Sequence, residues 1–585
     1  MSLKIKTLVE WALNNGSTIN EGISFEDVQS KGCSAILKQD IKDKTDLIKI
    51  PGSLLITPDL AIDYFGKEFT NEKTGNEQLQ LFVAKLKFDS NDTSSSTTVE
   101  SLDYSLKFKP YIDSLPSSDQ LSGVPFYWHP AEIELLKGTD ARMVMNNKFT
   151  AIVQEWKDSI SQLDSNKQIK EDLKFYDDYV KGSYKIGDLK LYEFLDSKIE
   201  SWTSFTAYLW SYCIFSSRAF PLILIKGSKV KYTSQAFLLP IVDLLNHENG
   251  RKVSWKFENN EFLFSSLDSD TNLKKGLELY NNYGDKTNLD LLFGYGFTID
   301  NNEFDSTSVT VKVDEETMEA AKVAGFLDPS ANVKGINFDI TRSNILPSEL
   351  VKFFAYLVQL TSEKGQYTLR MKLESLTQIK QILESKVAFF KNSKIESSKN
   401  LSEDVIKTVK KYKNSQKSLF QRSVDEVNKI EKQLLKEYKP LSFKTVLKND
   451  KTFTNSLILT FGAGSYEELS QKGLLNQCLL LWIIRNYNKS HYNAVDDSIF
   501  PDFIYNTFQD VRNTIQITKE DVLEYQGLYT TLFPKLAQKI PEIYAKGDWS
   551  AKNMIIAGTV VDRIGFTRTV SNEMYLLNKI VLETV

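Results

Sequence analysis

Cysteine is scarce in this 585-residue sequence, which contains only Cys33, Cys213 and Cys478. Three widely separated cysteines cannot form the clustered ligand sets of structural zinc sites. They also provide no disulfide framework of the kind that stabilises small secreted domains. The composition therefore favours a reducing compartment, and we expect a cytoplasmic protein.

The sequence also lacks long apolar runs and a large net charge. Its most apolar stretches, LLPIVDLL and CLLLWIIR, are far shorter than the roughly 20 residues of a membrane helix. The N-terminal MSLKIKTLVEWALNNG is typical of an amphipathic helix and has no signal-peptide core. A net charge of −4 provides no general attraction to nucleic acid or anionic membranes. We expect neither of these as a direct partner.

Several familiar catalytic motifs are absent as well. There is no phosphate-binding loop, no dinucleotide fingerprint and no His-Glu-x-x-His zinc helix. The G-x-S-x-G turn that carries the nucleophile of many hydrolases is missing too. These absences argue against nucleotide-dependent and common hydrolytic enzymes, and we expect no bound metal.

The length exceeds that of one compact core and predicts two or more domains. Short strands are indicated by AILK, DLIKI and SLLIT within residues 24–60, and by FLFSSL and LELYNNY within 229–283. Residues 90–101 form a polar low-complexity loop, and helical periodicity extends over about 100–220. After the short strand TSVTVKV, the second half is mainly helical.

Two apolar stripes at helical spacing occur in that second half. Core packing is the favoured interpretation of such stripes, and the lysine-rich outer faces are then solvated surface or a partner contact. The first stripe comprises Leu376, Ile379, Leu383, Val387 and Phe390, and the second comprises Phe420, Val424, Val427, Ile430, Leu434 and Tyr438.

A group of polar and aromatic residues remains in the strand-rich region. It consists of Arg218 in SSRAF, the DLLNH segment from Asp243 to His247, Tyr283 in LELYNNYGDKTN and Tyr295 in FGYGF. Taken singly, each residue also has an ordinary structural interpretation. The histidine can be a structural residue with its hydrogen bonds satisfied, the asparagine can cap a turn, and the tyrosine can be an ordinary strand residue. Their order and spacing together are much more specific.

These motifs resemble the SET-domain protein lysine methyltransferases, in particular the Rubisco large-subunit methyltransferase type. Further similar stretches are GCSAILKQDIKDKTDLIKIP, KFKPYIDSLP, PFYWHPAEIELLKGTD and ILPSELVKFFAYLV. The resemblance implies an α+β fold, with a SET β-fold, a pseudoknot and a helical insertion at about 100–215. It further implies a catalytic domain over 1–300 and a helical substrate-binding domain over 301–585.

The same resemblance implies S-adenosylmethionine as the cofactor and assigns roles to individual residues. Tyr283 is expected to be catalytic. The cofactor-binding residues are expected to be Lys31, Gly32, Cys33, Arg218, Asn246, His247 and Tyr283. The target-lysine channel and substrate contacts are expected to involve Arg218, Asp243, Tyr283 and Tyr295.

The implied reaction needs positioning more than acid–base chemistry, because methyl transfer from a sulfonium to an amine is an in-line displacement. The attacking lysine must be neutral although its ordinary pKa is about 10.4. A narrow apolar channel disfavours the ammonium, and the cofactor's positive charge does so further. A phenol such as that of Tyr283 can orient the amine without adding a competing nucleophile.

The sequence departs from the family pattern at two places. The opening loop usually contains two glycines, whereas Cys33 and Ser34 follow Gly32 here. Pro221 and Leu222 occupy the place where a second arginine often follows the R-A-F segment. The first departure affects the cofactor loop, and the second affects substrate contacts.

Fungal members of this type act on translation components, such as elongation factor 1A and ribosomal proteins, or on cytochrome c. The resemblance favours elongation factor 1A as the substrate, with a ribosomal protein or cytochrome c as alternatives. The cysteine-rich flanks of histone-directed members are absent. A catalytically silent SET-fold scaffold is the rival interpretation, motivated by the altered glycine motif. We expect a monomer, since a large helical domain is part of the chain itself.

Overall fold

The structure is a computed structural model. It describes residues 2–28, 32–42, 46–70, 74–89, 104–182, 196–267, 273–331, 335–393, 401–492, 499–527, 529–530 and 533–584. The predicted low-complexity loop at 90–101 and the predicted cofactor-loop residue Lys31 lie outside the described residues.

Up to residue 305, helices and short strands alternate. The helices are α1 Leu3–Asn14, α2 Pro58–Phe65, α3 Glu77–Phe88, α4 Tyr104–Ser114, α5 Pro130–Glu134, α6 Asp140–Ile160, α7 Lys167–Gly182, α8 Phe205–Arg218, α9 Ile223–Lys226 and α10 Asn288–Tyr295. The strands are β1 Thr18–Ile19, β2 Ile23–Val28, β3 Gly32–Leu37, β4 Ile48–Pro51, β5 Ala219–Pro221, β6 Ala236–Leu238, β7 Val253–Glu258 and β8 Glu261–Ser266.

The remainder of the chain is mainly helical. Its helices are α11 Glu315–Val323, α12 Ser348–Leu357, α13 Leu369–Asn392, α14 Glu403–Tyr438, α15 Phe443–Asn449, α16 Lys451–Phe461, α17 Tyr466–Gln471, α18 Leu475–Tyr487, α19 Asp502–Thr514, α20 Lys519–Gly527, α21 Phe533–Lys539, α22 Pro541–Tyr544 and α23 Ala551–Ile564. Its strands are β9 Ser306–Val311, β10 Ile336–Thr341, β11 Gln366–Thr368, β12 Leu441–Ser442, β13 Gly565–Arg568, β14 Glu573–Leu576 and β15 Val581–Thr584.

The chain divides into two compact units. The first unit comprises Met1–Thr307 and Phe389–Lys417, and the second comprises Ser308–Ala388 and Ser418–Val585. Helices α13 and α14 are therefore each shared between the units. The assignment of a catalytic role to 1–300 and a substrate-binding role to 301–585 stays a prediction.

The strands of the first unit form small antiparallel sheets. The largest has the order β1-β4-β8-β7, and β2 pairs with β3 while β5 pairs with β6. Ile48 and Ile50 of β4 are fully buried opposite Phe264 and Phe262 of β8. Such apolar cross-strand pairs fix the register, since a one-residue slip would turn these side chains toward solvent.

Two predicted strands of the first unit are wrong. In SLLIT, Gly52–Leu54 is a short 3-10 helix, and only Ile56 makes a single bridge, to Leu238. LELYNNY makes two single bridges, one through Glu278 and one through Asn281. Alternating apolar residues predict an extended segment. They do not show whether a neighbouring strand is available to form a continuous ladder of backbone hydrogen bonds with it.

The LELYNNY segment instead lies between two others. On one side Leu279 N donates to Ala35 O (2.7 Å), next to the bridge between Ile36 and Glu278. On the other side Asn281 N donates to Asn246 O (2.8 Å). The chain thus brings β3 and the DLLNH segment to opposite edges of one stretch of backbone.

The helical periodicity over 100–220 corresponds to helices α4 to α8 of the first unit. The predicted N-terminal amphipathic helix is α1, which buries Ile5, Leu8 and Ala12. In α6, Thr139 caps the N-terminus by accepting from Arg142 N, and Trp156 is fully buried. One apolar core extends through the unit.

The second unit confirms the interpretation of the apolar stripes as core packing. Leu376, Ile379, Leu383 and Val387 of α13 are buried, as are Phe420, Val424, Val427 and Leu434 of α14. Phe390, in the end of α13 that belongs to the first unit, is buried as well, whereas Ile430 and Tyr438 are only half-buried. The predicted strand TSVTVKV corresponds to β9. The α+β class with a helical second half is therefore confirmed.

Within the described ranges, no helix combines the length and apolarity required to cross a bilayer.

Candidate active site

The first unit contains a cavity of about 1080 Å³. Four of the predicted site residues lie on its wall: Arg218, Asp243, Tyr283 and Tyr295. They come from positions up to 77 apart in the sequence. The volume is slightly above the range of roughly 300–1,000 Å³ that is typical of small-molecule sites.

Arg218 is the last residue of α8, where a cation interacts favourably with the carbonyl end of the helix. Its Nη1 donates to the backbone oxygen of Asp243 (3.0 Å) and to Asp243 Oδ2 (3.3 Å). Tyr111 of α4 donates from its hydroxyl to the same Oδ2 (3.0 Å). The Arg218 side chain is 23% exposed, so part of its guanidinium remains open to the cavity.

The Asp243 side chain is fully enclosed behind the cavity wall. Its Oδ1 is buried and has no hydrogen-bond partner among the described residues. Burial raises the pKa of the Asp243 carboxyl, and the Arg218 guanidinium and the Tyr111 hydroxyl oppose that rise. The residue thus reaches the cavity as backbone, while its carboxylate supports Arg218.

Strained backbone immediately precedes Asp243. Ile241 has φ 72° and ψ −52°, and Val242 N donates to Pro240 O (2.9 Å) across it. This is the rare positive-φ form of the γ-turn, at a β-branched residue that normally avoids it. Ile241 is fully buried. Such strain persists only where the surrounding structure enforces it, and it clusters at functional sites.

Asn246 is anchored to the opening loop. Its Nδ2 lies within hydrogen-bond distance of Cys33 O (3.1 Å), Ser34 Oγ (3.1 Å) and Glu278 Oε1 (2.7 Å). Among the described residues, none donates to its Oδ1. Asn246 therefore joins β3 to the LELYNNY segment and keeps one acceptor for another group.

The opening loop enters β3 at Gly32, whose φ of 72° favours glycine. Cys33 follows and is half-buried, and burial raises the pKa of its thiol to about 11. The side chain is therefore a neutral thiol at physiological pH. Ser34, which stands near the family's second glycine, is fully buried and bonded to Asn246.

His247 is held by two hydrogen bonds that define its protonation. Tyr283 N donates to Nδ1 (3.0 Å), so Nδ1 must be an acceptor. Nε2 lies 2.6 Å from Asn249 Oδ1 and can then be the donor. Burial lowers the pKa of His247, which favours the neutral ring. The histidine acts as a clamp between two segments rather than as a proton carrier.

Tyr283 lies at the centre of an aromatic stack. Its ring stacks on His247 at a centroid distance of 5.0 Å and on Tyr295 at 4.7 Å. Its hydroxyl donates to Leu245 O (2.8 Å). Burial raises the pKa of the Tyr283 phenol well above its ordinary value, so the group stays protonated. Its oxygen lone pairs remain available as acceptors.

Tyr295 is positioned by both ends of α10. Thr287 and Asp290 form a capping box at the N-terminus. At the other end Gly296 has φ 77°, and an added Cβ there would lie 2.7 Å from the carbonyl carbon of Gly123. Only glycine permits this close approach of two backbones.

Aromatic side chains form another part of the cavity wall. Trp255 of β7 and Phe220 of β5 meet edge to face at 5.4 Å. Trp255 Nε1 donates to Asn281 Oδ1 (3.2 Å), and Asn281 also lines the cavity. The cavity thus combines a cationic group, phenols and an apolar face.

The predicted site residues fall into two groups. Arg218, Asp243, Tyr283 and Tyr295 line the cavity, whereas Gly32, Cys33, Asn246 and His247 are not among its lining residues. In this second group, Asn246 and His247 are linked to the wall by hydrogen bonds to the LELYNNY segment, and Cys33 is bonded to Asn246. The binding roles of all eight, like that of Lys31, stay predictions.

Sequence analysis missed Tyr111, Trp255 and Asn281 as residues of the site. Tyr111 lies within the KFKPYIDSLP stretch that resembles the family, but a single tyrosine in a helical pattern carries no separate signal. Trp255 lies on a short strand where a core role is the ordinary interpretation. In the described part of the chain, no group of three or more His, Cys, Asp or Glu side chains could hold a metal ion.

Comparison with characterised proteins identifies relatives over almost the whole length. The chain is 34% identical to protein-lysine N-methyltransferase EFM1 of Saccharomyces cerevisiae, over 98% of each protein. It is 30% identical to ribosomal lysine N-methyltransferase 1 of the same yeast, over 83% of this chain and 87% of that protein. The profile of the EFM1 middle domain matches residues 306–438.

Comparison with solved structures agrees at the level of the fold. The structure of Rubisco LSMT bound to AdoMet superposes with a TM-score of 0.50 and 16% identity. The match covers 74% of this chain and 93% of that one. The predicted SET-type fold is therefore confirmed.

Proposed function

The chain belongs to the SET-domain protein-lysine N-methyltransferases, and we propose that its substrate is translation elongation factor 1A. The observation that carries this proposal is the 34% identity with EFM1 over 98% of both proteins. The altered opening loop and the long lysine-rich second half also fit the fungal members that act on translation components. The proposed site of action is the cytoplasm, and the proposed state is a monomer.

S-adenosylmethionine is the methyl donor of this family, and the residues present fit its amino-acid end. That end carries an ammonium and a carboxylate. Asn246 Oδ1 can accept from the ammonium, and the N–H groups of Arg218 that Asp243 leaves unused can donate to the carboxylate. Gly32, Cys33 and His247 would complete the binding site. When bound, the cofactor supplies a methyl group activated by a sulfonium.

Tyr283 would orient the target amine. Because its hydrogen is donated to Leu245 O, the phenol oxygen can accept an N–H from the lysine. The same donation, together with the raised pKa, prevents the phenol from acting as a general base. Stacking on His247 and Tyr295 fixes the ring, so that the amine is held for in-line attack.

The cavity wall would help to neutralise the target lysine. Trp255 and Phe220 present apolar surface, which lowers the pKa of an entering ammonium by desolvation. The guanidinium of Arg218 on the same wall disfavours a second positive charge. Neither effect needs a dedicated base, and the proton can leave to water through the open end of the cavity.

A ribosomal protein is the second candidate substrate. The observation that favours it is the 30% identity with ribosomal lysine N-methyltransferase 1, over 83% of the chain. The lower identity and the shorter coverage rank it behind elongation factor 1A. The silent-scaffold alternative is opposed by Arg218, Asn246 and Tyr283, which keep the polar atoms that cofactor and amine require.

The deciding experiment uses the purified chain with radiolabelled S-adenosylmethionine. It is incubated separately with purified elongation factor 1A, with ribosomal subunits and with an extract from cells that lack the enzyme. We expect label in elongation factor 1A, on a lysine identified by mass spectrometry. Label in a ribosomal protein alone would replace the proposed substrate with the second candidate.

The scaffold alternative is tested in the same preparation by measuring cofactor binding calorimetrically. Binding without label in any fraction would point to another substrate, whereas absence of both binding and label would favour the scaffold. The variant Tyr283→Phe serves as the control, because it should bind cofactor but transfer little label.

A further inference from the structure

Tyr111 is a fully buried tyrosine outside the cavity wall, yet it contacts a residue of the site. It lies on α4, and its hydroxyl donates to Asp243 Oδ2 (3.0 Å). Burial and the neighbouring carboxylate raise the pKa of this phenol well above its ordinary value. It therefore remains a hydrogen-bond donor at physiological pH.

The charge on Asp243 depends on few partners. Its carboxylate is enclosed, its Oδ1 has no described partner, and its Oδ2 is shared by Tyr111 and Arg218. Among the described residues, the thiol of Cys33 and the phenol of Tyr283 also interact with it, and both are protonated. Each hydrogen bond to an enclosed carboxylate favours its ionised form.

We propose that Tyr111 is a positioning residue that acts through Asp243 to hold the Arg218 guanidinium on the cavity wall. The order of contacts is Tyr111 hydroxyl, Asp243 Oδ2 and Arg218 Nη1. Tyr111 would touch neither cofactor nor substrate. The part of this proposal that assigns Arg218 to cofactor and substrate rests on the proposed function.

The physical consequence follows from the ionisation of Asp243. Without the Tyr111 hydroxyl, the carboxyl takes up a proton at higher pH, because one of the interactions that favour the anion is lost. A protonated Asp243 attracts the guanidinium less strongly, and the hydrogen bond from Arg218 Nη1 to Asp243 O (3.0 Å) becomes its main anchor. The partly exposed Arg218 side chain then moves among several positions in the cavity, and its remaining N–H groups are no longer aimed at a ligand.

The test is Tyr111→Phe, which removes one oxygen and keeps the ring. Deprotonation of the target lysine gives log kcat/KM a slope of one with pH, and protonation of Asp243 adds a steeper acid limb at lower pH. We expect the start of this acid limb to move up by about one pH unit in Tyr111→Phe, since loss of one hydrogen bond to a charge shifts a pKa by that order. On that limb, kcat/KM should fall about tenfold. The substrate is whichever protein the wild-type enzyme labels.

Tyr412→Phe is the matched control. Tyr412 is also fully buried in the first unit, and its hydroxyl accepts from Gln416 Nε2 (3.1 Å). It does not line the cavity. The control should lower stability by a similar amount and leave the acid limb where it is. In an Asp243→Asn background, Tyr111→Phe should shift the limb no further.

A second readout is independent of turnover. The sequence has only ten arginines. In an NMR spectrum of 15N-arginine-labelled protein, their side-chain Nε–H signals can therefore be resolved. The signal of Arg218 is identified because it is lost in the variant Arg218→Lys. We expect this signal to broaden in Tyr111→Phe at a pH about one unit higher than in the wild type. Tyr412→Phe should retain the wild-type behaviour.

The results separate this proposal from the proposed function. An unchanged Arg218 signal and acid limb in Tyr111→Phe would overturn the positioning role, whatever the substrate is. A wild-type enzyme that labels nothing would count against the proposed function, while the Arg218 signal would still decide the role of Tyr111. If Tyr111→Phe does not fold, 3-fluorotyrosine is incorporated at position 111 instead. Its more acidic hydroxyl is a stronger hydrogen-bond donor to Asp243, so the pH at which the Arg218 signal broadens should be lower than in the wild type.

Discussion

Each compact unit contains a buried arginine–aspartate pair, and the two pairs differ in how completely they are closed. In the second unit, Arg485 donates from Nε to Asp450 Oδ2 (2.8 Å) and from Nη2 to Oδ1 (3.2 Å). Both side chains are almost inaccessible, at 6% and 3% exposure. In the first unit, Arg218 contacts Asp243 through one nitrogen and is 23% exposed.

The surroundings explain the difference. The guanidinium of Arg485 lies over the rings of Tyr492 and Phe500, and Asp450 also caps α16 by accepting from Phe453 N. That pair is sealed from solvent, although Arg485 Nη1 has no hydrogen-bond partner among the described residues. Arg218 instead leaves N–H groups facing a cavity. A buried ion pair is structural when both partners are closed off from any ligand, and it becomes a binding device when part of one donor set faces a cavity.

The largest expected effect tests the closed pair. Asp450→Asn leaves Arg485 buried without a counter-charge, which should lower the free energy of unfolding of the second unit by about 3–5 kcal/mol. Turnover per folded molecule should be unchanged. Urea unfolding monitored by tryptophan fluorescence, together with activity normalised to folded protein, measures both. A stable but inactive variant would contradict the structural role of this pair.

The next effect compares a tyrosine from each unit. Tyr283→Phe should lower kcat about 10²-fold, because misplacing the reacting amine costs that much, while cofactor affinity is kept. Tyr544→Phe removes the hydroxyl of a buried tyrosine, which lies 3.1 Å from Ser456 Oγ in the second unit, and should affect stability alone. Single-turnover methyl transfer and cofactor titration distinguish the two. Equal turnover in both variants would remove Tyr283 from its proposed role.

A smaller effect is expected when the two arginines are replaced by lysine. Arg218→Lys keeps the charge but loses the planar fork, so one ammonium must serve both Asp243 and the ligand. We expect kcat/KM to fall about tenfold, which corresponds to about 1.4 kcal/mol, with little change in stability. Arg485→Lys should show the reverse pattern. Steady-state kinetics and thermal melts of both variants would sharpen the distinction between open and closed pairs.

The smallest effect is a pH dependence within the first unit. The pKa of His247 is lowered below its ordinary 6.5 by burial, so the unfolded chain binds this proton more readily than the folded one. The stabilisation from the neutral ring is complete above about pH 6.5 and is lost as the pH falls toward the folded pKa. The stability difference between wild type and His247→Asn, followed by unfolding at several pH values, should shrink over that window. A difference that is constant with pH would show that the ring does not titrate on unfolding.

Much of the second unit could be predicted from sequence because its pattern is local. The stripe from Leu376 to Phe390 repeats with the period of one helix, and a helix makes its hydrogen bonds within itself. Burial of the stripe then follows from its apolar character. Ile430 and Tyr438, in the C-terminal part of α14, are less buried than the others because neighbouring packing, rather than periodicity, decides how far each side chain is covered.

The site was less predictable because its contacts join distant segments. SLLIT and LELYNNY have the alternation of strands, yet they make only single bridges in a region where several segments cross. Tyr111 and Asp243 are 132 positions apart, and no spacing rule connects them. The motifs DLLNH and GYGF were recognised through a family resemblance, and the hydrogen bonds that fix His247 and Asn246 came only from the structure.

The turn at Ile241 has a consequence for the behaviour of the enzyme on heating. Its unfavourable backbone angles are kept only while the packed residues around it stay in place. During folding it should therefore be acquired late, after the core that enforces it. On warming it should relax early and displace Asp243 and Arg218 while the rest of the chain is still native. The temperature at which activity disappears would then lie below the melting temperature, and a short turn of backbone would set the upper limit of the working range.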